Sequence, residues 1–160
     1  MGKIVVGKIV NTFGIKGELK VVSDFEMAAR AFQKGNKILI NKKEHIISNS
    51  RYHHYNYLIE IDNIKDINAV TYLIGSKIEI DITELKLKEN EYLMCELPGY
   101  DVIFNERVIG QIEDVIINKV NPLIKVNGHF IPLNDHFIKR VVAKEKRVEC
   151  QNIDELMKEG

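Results

Sequence analysis

Branching at Cβ decides more about this chain than any motif does. Ile occurs 24 times, Val 14 times and Thr 3 times, against 5 Ala and 11 Leu. Two heavy atoms on Cβ restrict side-chain rotation in a helix and suit the pleated surface of a sheet. A mainly β fold is therefore expected, with only a few short helices. At 160 residues the chain has room for one or two domains. An apolar fraction of 45% is enough to build a core and too high for a disordered chain. No run of about 18 apolar residues occurs, so no membrane-spanning helix is expected.

Alternation and turn residues place the strands. The first half reads as Lys3–Val10, Glu18–Val22, Lys37–Ile40, Glu44–Ser50, Tyr52–Ile61 and Lys77–Ile80. Ser23-Asp24 offers a cap for a short helix over Met27–Gln33, which Gly35 can end in a left-handed conformation. A second short helix is expected over Asp66–Leu73, stopped by Gly75, with Asp62 and Asp66 as acids near its positive end. The second half reads as Asp101–Phe104, Arg107–Ile117, Leu123–Val126, Phe130–Leu133, Ile138–Val142 and Arg147–Cys150, then a tail helix over Asn152–Lys158. Between the halves lies a charged stretch without glycine, Asp81–Asn90. Two small β-barrels joined by a short linker fit this pattern: residues 1–82, a linker at 83–90, and residues 91–160. Closing a sheet on itself removes its exposed edges.

The net charge is zero, with 23 Lys+Arg and 23 Asp+Glu, so global charge alone does not hold this chain to a polyanion. The charge is uneven, however. Residues 1–58 carry ten Lys/Arg against four Asp/Glu, and residues 59–85 carry two against six. The basic first part includes Lys16, Lys20 and the run Arg51-Tyr52-His53-His54-Tyr55-Asn56-Tyr57. Bases interleaved with aromatics can meet phosphates and stack on unpaired nucleobases. The same run also fits a strand with aromatics packed inward and a solvated polar face. A second basic cluster, Lys139, Arg140, Lys144, Lys146 and Arg147, fits a solvated hairpin equally well. After the charged stretch, Tyr92, Leu93 and Met94 could anchor a partner protein or pack between domains.

Catalytic and cofactor motifs are missing. There is no phosphate-binding GxxxxGK[ST], no GxGxxG and no GxSxG, and the five histidines form no HExxH. Asp135-His136 has no assignable nucleophile and reads as a turn pair. Neither a metal nor a cofactor is expected. Cys95 and Cys150 could form one disulfide, but without a CxxC or a secretory pattern they read as ordinary thiols of a cytoplasmic protein.

The stretch Val6–Val21 resembles the opening pattern of the RimM family of ribosome maturation factors. That pattern is a Gly-Lys strand followed by an aromatic or His, Gly, a hydrophobic residue, a base, Gly and Glu, here Phe13-Gly14-Ile15-Lys16-Gly17-Glu18. Glu91–Gly99, Val108–Ile112 and Ile131-Pro132-Leu133 are similar to later family segments. The family's aromatic pair falls on Tyr92 and Leu93, which leaves one ring, and Met94 stands where a Trp often follows. Lys119–Pro122 departs from the family's Gly-Ala-Asn-Asp loop. The resemblance implies a translation-factor-type barrel followed by a PRC-barrel. It further implies a non-enzymatic chaperone of the immature small ribosomal subunit that aids processing of its rRNA. The implied contacts are a ribosomal protein of the subunit head (S-nineteen) through Tyr92, Leu93 and Met94, and the adjoining rRNA. For that RNA, Lys16, Lys20, Arg51, His53 and His54 are the candidate contacts. A monomer is the default expectation. An RNA-modifying enzyme and a pure protein-interaction adaptor are the alternatives.

Overall fold

The computed structural model describes residues 2–118 and 120–157, so Lys119 of the variant loop and Lys158 of the expected tail helix lie outside the described residues. The chain divides into two compact units, Met1–Lys86 and Leu87–Gly160.

Six strands build the first unit: β1 (Lys3–Phe13), β2 (Glu18–Val22), β3 (Lys37–Ile40), β4 (Lys43–His53), β5 (Asn56–Ile61) and β6 (Lys77–Asp81), with the single-turn helix α1 (Ala28–Ala31) between β2 and β3. They close into a barrel in the order β1-β2-β5-β4-β3-β6. Its interior is filled mainly by branched aliphatic side chains. Val6, Ile9, Leu19, Val21, Ile38, Ile40, Ile47, Ile59, Ile61, Ile78 and Ile80 are all buried. The two longest strands each serve two neighbours, and bulges let them do so. β1 shifts register at Val5/Gly7 against β6 and at Ile9/Asn11 against β2. β4 shifts at Ile47/Asn49 against β5. A bulge bends a strand and raises its twist, which a six-stranded barrel needs in order to close. Gly7 sits where a Cβ would lie 2.8 Å from Val21 Cγ1 and 3.0 Å from the Phe32 ring. Its missing side chain lets Phe32 plug the barrel.

The second unit holds β7 (Asp101–Phe104), β8 (Arg107–Ile116), β9 (Leu123–Val126), β10 (His129–Pro132), β11 (Ile138–Val142) and β12 (Arg147–Cys150), and ends in α2 (Asp154–Met157). The ladder order is β10-β9-β8-β7-β12-β11, with β7 and β12 parallel. The sheet curls around one core of Val102, Ile112, Ile124, Val126, Ile131 and Val148, against which the strands at its two ends both pack.

Four local expectations are corrected. Tyr52–Ile61 is not one strand. His54 and Tyr55 take φ 48° and 68°, which folds the run into a two-residue β4–β5 hairpin with Tyr52 opposite Tyr57. Two positive φ values mark the turn whose twist matches a hairpin. The helix over Asp66–Leu73 is instead two 3-10 turns, Ile67–Ala69 and Thr71–Leu73. Asn68, Val70 and Thr71 are weak helix formers, so packing of buried Val70 and Leu73 settles the shape. Asp66 does cap it, accepting from the Asn68 amide at 3.0 Å, whereas Asp62 turns to His45. Residues 83–85 of the expected linker belong to the first unit. They lie in the 3-10 turn Ile82–Leu85, where Leu85 is buried and the Glu84 carboxylate accepts from the Lys37 amide.

Candidate functional site

Antiparallel partners share a face, so register alone assigns the candidate RNA contacts. Leu19 lies opposite Ile59, both buried inward. Lys20 and Arg51 both lie opposite Leu58, and Glu18 lies opposite Phe13. Phe13, Glu18, Lys20 and Arg51, with His53 two positions beyond Arg51, lie on the face opposite Leu19 and Ile59, where the Leu58 they flank is itself buried. Lys16 sits in the β1–β2 turn. That turn is held by Gly17, whose φ is 95° and where a Cβ would lie 2.3 Å from the Ile64 carbonyl oxygen. Ile15, at its tip, is 78% exposed. The structure thus brings Lys20, Arg51 and His53 together, while His54 occupies the hairpin turn.

Electrostatics separates these candidates. The Arg51 guanidinium grips Glu18 through two hydrogen bonds of 3.0 Å, Nε to Oε2 and Nη2 to Oε1. It also lies 5.5 Å from the centre of the Phe13 ring, which meets His53 edge-on at 5.1 Å. The bond from Arg51 holds the Glu18 carboxyl below its ordinary value of 4.5. Partial burial, and after it the nearby His54 ring and the Arg51 guanidinium, hold His53 below its ordinary 6.5. At neutral pH His53 is therefore an aromatic surface rather than a cation. Lys16 and Lys20 have no ion-pair partner among the described residues. Beside this group Lys65 donates to both oxygens of Glu60 at 3.0 Å, and Ser48 donates to one of them at 2.9 Å.

The hairpin's inner face carries what was not resolved from the sequence. Tyr52 is 61% exposed and meets Tyr57 edge-on at 5.1 Å. Tyr57 is in turn backed by buried Phe32, also at 5.1 Å. Tyr55, at the tip, is 88% exposed. The run's residue types hinted at stacking, but the turn that sorts them onto two faces carries no Gly or Asn signal.

In the second unit Leu93 is buried, while Tyr92 and Met94 are half-buried and Tyr92 packs against the core of that unit. Met94 opens a 3-10 turn, Met94–Glu96, which leaves Cys95 exposed. Cys150 is buried, and burial pushes its thiol up to about 11. In the second basic cluster the two arginines are paired, Arg140 with Glu149 and Arg147 with both Glu145 and Glu149. Asp135 and His136 lie in an exposed turn where the Asn134 side chain accepts from the His136 amide.

One acid–histidine contact was not anticipated. His45 Nδ1 lies 2.6 Å from Asp62 Oδ2, and the other Asp62 oxygen accepts from the Ile46 amide. Its Nε2 is buried with no partner among the described residues. The contact ties β4 to the turn after β5. Among the described residues no group of three His, Cys, Asp or Glu could hold a metal ion, and no helix is long and apolar enough to cross a membrane.

Comparison with known proteins places these features in a lineage. The family model described as the RimM N-terminal domain matches residues 4–85. The ribosome maturation factor RimM of Staphylococcus saprophyticus is 30% identical, over 97% of this chain and 99% of its own. That of Staphylococcus aureus strain RF122 is also 30% identical, over 91% and 93%. Among solved structures, a putative 16S ribosomal RNA processing protein RimM from Pseudomonas aeruginosa aligns over 94% of this chain and 97% of its own, with TM-score 0.48 and 18% identity.

Proposed function

The chain belongs to the RimM family, and from that membership we propose that it is a ribosome maturation factor that binds the immature small subunit near its head and aids rRNA processing. The end-to-end likeness to the Staphylococcus saprophyticus factor carries this reading. The role is that of a binding chaperone, not an enzyme, working in the cytoplasm as a monomer. It holds an unfinished conformation of the subunit head and loses affinity once the mature one forms, which requires differential affinity for the two states. Residues 91–160 are the PRC-barrel, and Tyr92, Leu93 and Met94 form the segment that docks the head protein S-nineteen. Buried Leu93 fixes the segment, and Tyr92 and Met94 supply its surface.

Lys16 and Lys20 supply the phosphate contacts on the adjoining rRNA, while His53 and His54 supply aromatic surface. Arg51 joins them only as far as Glu18 releases it. With three neutralised phosphates the log–log salt slope on duplex-like RNA would be roughly −2 to −3; with Arg51 held by Glu18 it is about −2. Co-sedimentation tests the assignment: the intact chain pellets with free small subunits and not with whole ribosomes. Indifference to every small-subunit precursor overturns it.

A further inference from the structure

We propose that the mouth of the first barrel, between α1 and the inner face of the β4–β5 hairpin, is a binding cleft for an unpaired base of single-stranded RNA. The cleft measures about 520 Å³. Its wall is built in layers. Phe32 is fully buried, Tyr57 leans on it, and Tyr52 stands edge-on to Tyr57 with most of its ring in solvent. An exposed ring held from behind is a stacking platform already in place, so little side-chain order is lost when a base arrives. Gln33 and Ser50 add an amide and a hydroxyl along the same wall, where the edge of a base would be met.

The charges choose the occupant. Lys34 and Arg51 are the charged residues lining this cleft, and no carboxylate lines it. The larger cleft of the second unit, about 1020 Å³, mixes Lys139, Arg140 and Arg147 with Glu106, Glu149 and Asp154. Aromatic grooves also accept extended proline-rich peptides. A cleft lined by cations and by no carboxylate favours a phosphodiester over such a neutral peptide. Arg51 gives its guanidinium to Glu18, so Lys34 is the cation left for the phosphate. Lys20 on β2 and His53 on β4 belong to the opposite, outer face of the barrel, and Lys16 to the β1–β2 turn, so this cleft is a separate contact. It rests on the family reading only for which RNA is met in the cell.

The test uses the intact chain and a labelled single-stranded oligoribonucleotide of about eight nucleotides, alone and annealed to its complement. The chain has six Tyr and no Trp, so tyrosine emission reports binding directly. Wild type should bind the single strand more tightly than the duplex and lose emission as it does. Tyr52→Ala should weaken single-strand binding by about 5- to 100-fold, while Tyr52→Phe keeps it. Lys34→Ala should flatten the salt slope by about 0.7. Wild-type affinity in a folded Tyr52→Ala variant, equal binding of the duplex, or displacement of RNA by a proline-rich peptide that binds more tightly would each overturn the proposal. If subunits are ignored while the oligonucleotide is bound through Tyr52, the ribosomal assignment falls and the cleft stands. If subunits are bound while Tyr52→Ala leaves oligonucleotide affinity unchanged, the cleft falls and the assignment stands.

Discussion

Glu18 controls how much of the outer face's charge is available to a polyanion. Its two hydrogen bonds neutralise Arg51, so Glu18→Gln should release the guanidinium, raise RNA affinity at low salt and steepen the salt slope by about 0.9 on duplex-like RNA. Titrating affinity against salt for both proteins checks this. Glu18, Glu60 and Glu149 share one titration behaviour: hydrogen bonds from Arg51, Lys65 and Arg140 hold each carboxyl below its ordinary 4.5. A depressed folded-state value contributes stability that is present above the unfolded value and lost as pH falls through the folded one. Urea midpoints should therefore drop as pH falls below about 4.5 and stay flat, on account of these groups, above about 6. Gly17→Ala presses a Cβ against the Ile64 carbonyl in a left-handed backbone and should cost roughly 2–3 kcal/mol, measured by urea unfolding.

Among the elements, the β4–β5 hairpin combines exposed aromatic rings with backbone strain. Tyr55 adopts φ 68°, where a side chain is disfavoured by about 1–2 kcal/mol. Tyr55→Gly should accordingly raise stability by about 1 kcal/mol in a thermal melt, and loss of stability would show that the ring is packed rather than presented. The strands were legible in advance because their buried residues alternate: Leu19 and Val21 in β2, Ile38 and Ile40 in β3, Ile78 and Ile80 in β6. The hairpin was not, because His-Tyr gives none of the chemical signal that Asn-Gly gives, and the aromatics on both sides continue the strand pattern. Bulges at Val5/Gly7 and Ile47/Asn49 are equally silent, since each answers to a partner strand distant in the chain. The site suffered in the same way. Basic and aromatic residue types were visible, but the pairing of Arg51 with Glu18, 33 positions away, is a property of the closed barrel alone.

Each half of the molecule has its own hydrogen-bonded sheet and its own buried cluster. Residues 1–86 expressed alone should therefore keep a cooperative melt and the tyrosine-linked RNA binding. Residues 87–160 should keep whatever affinity for the subunit head depends on Tyr92. Subunit binding confined to the second fragment, with RNA binding absent from the first, would favour a pure adaptor instead. The two thiols offer a means to watch this partition. Cys150 is walled in and its thiolate is suppressed, whereas Cys95 faces water next to Met94. A maleimide dye will thus attach to the unaltered protein at one position, beside the segment assigned to docking, and report engagement of that segment in real time without any mutation.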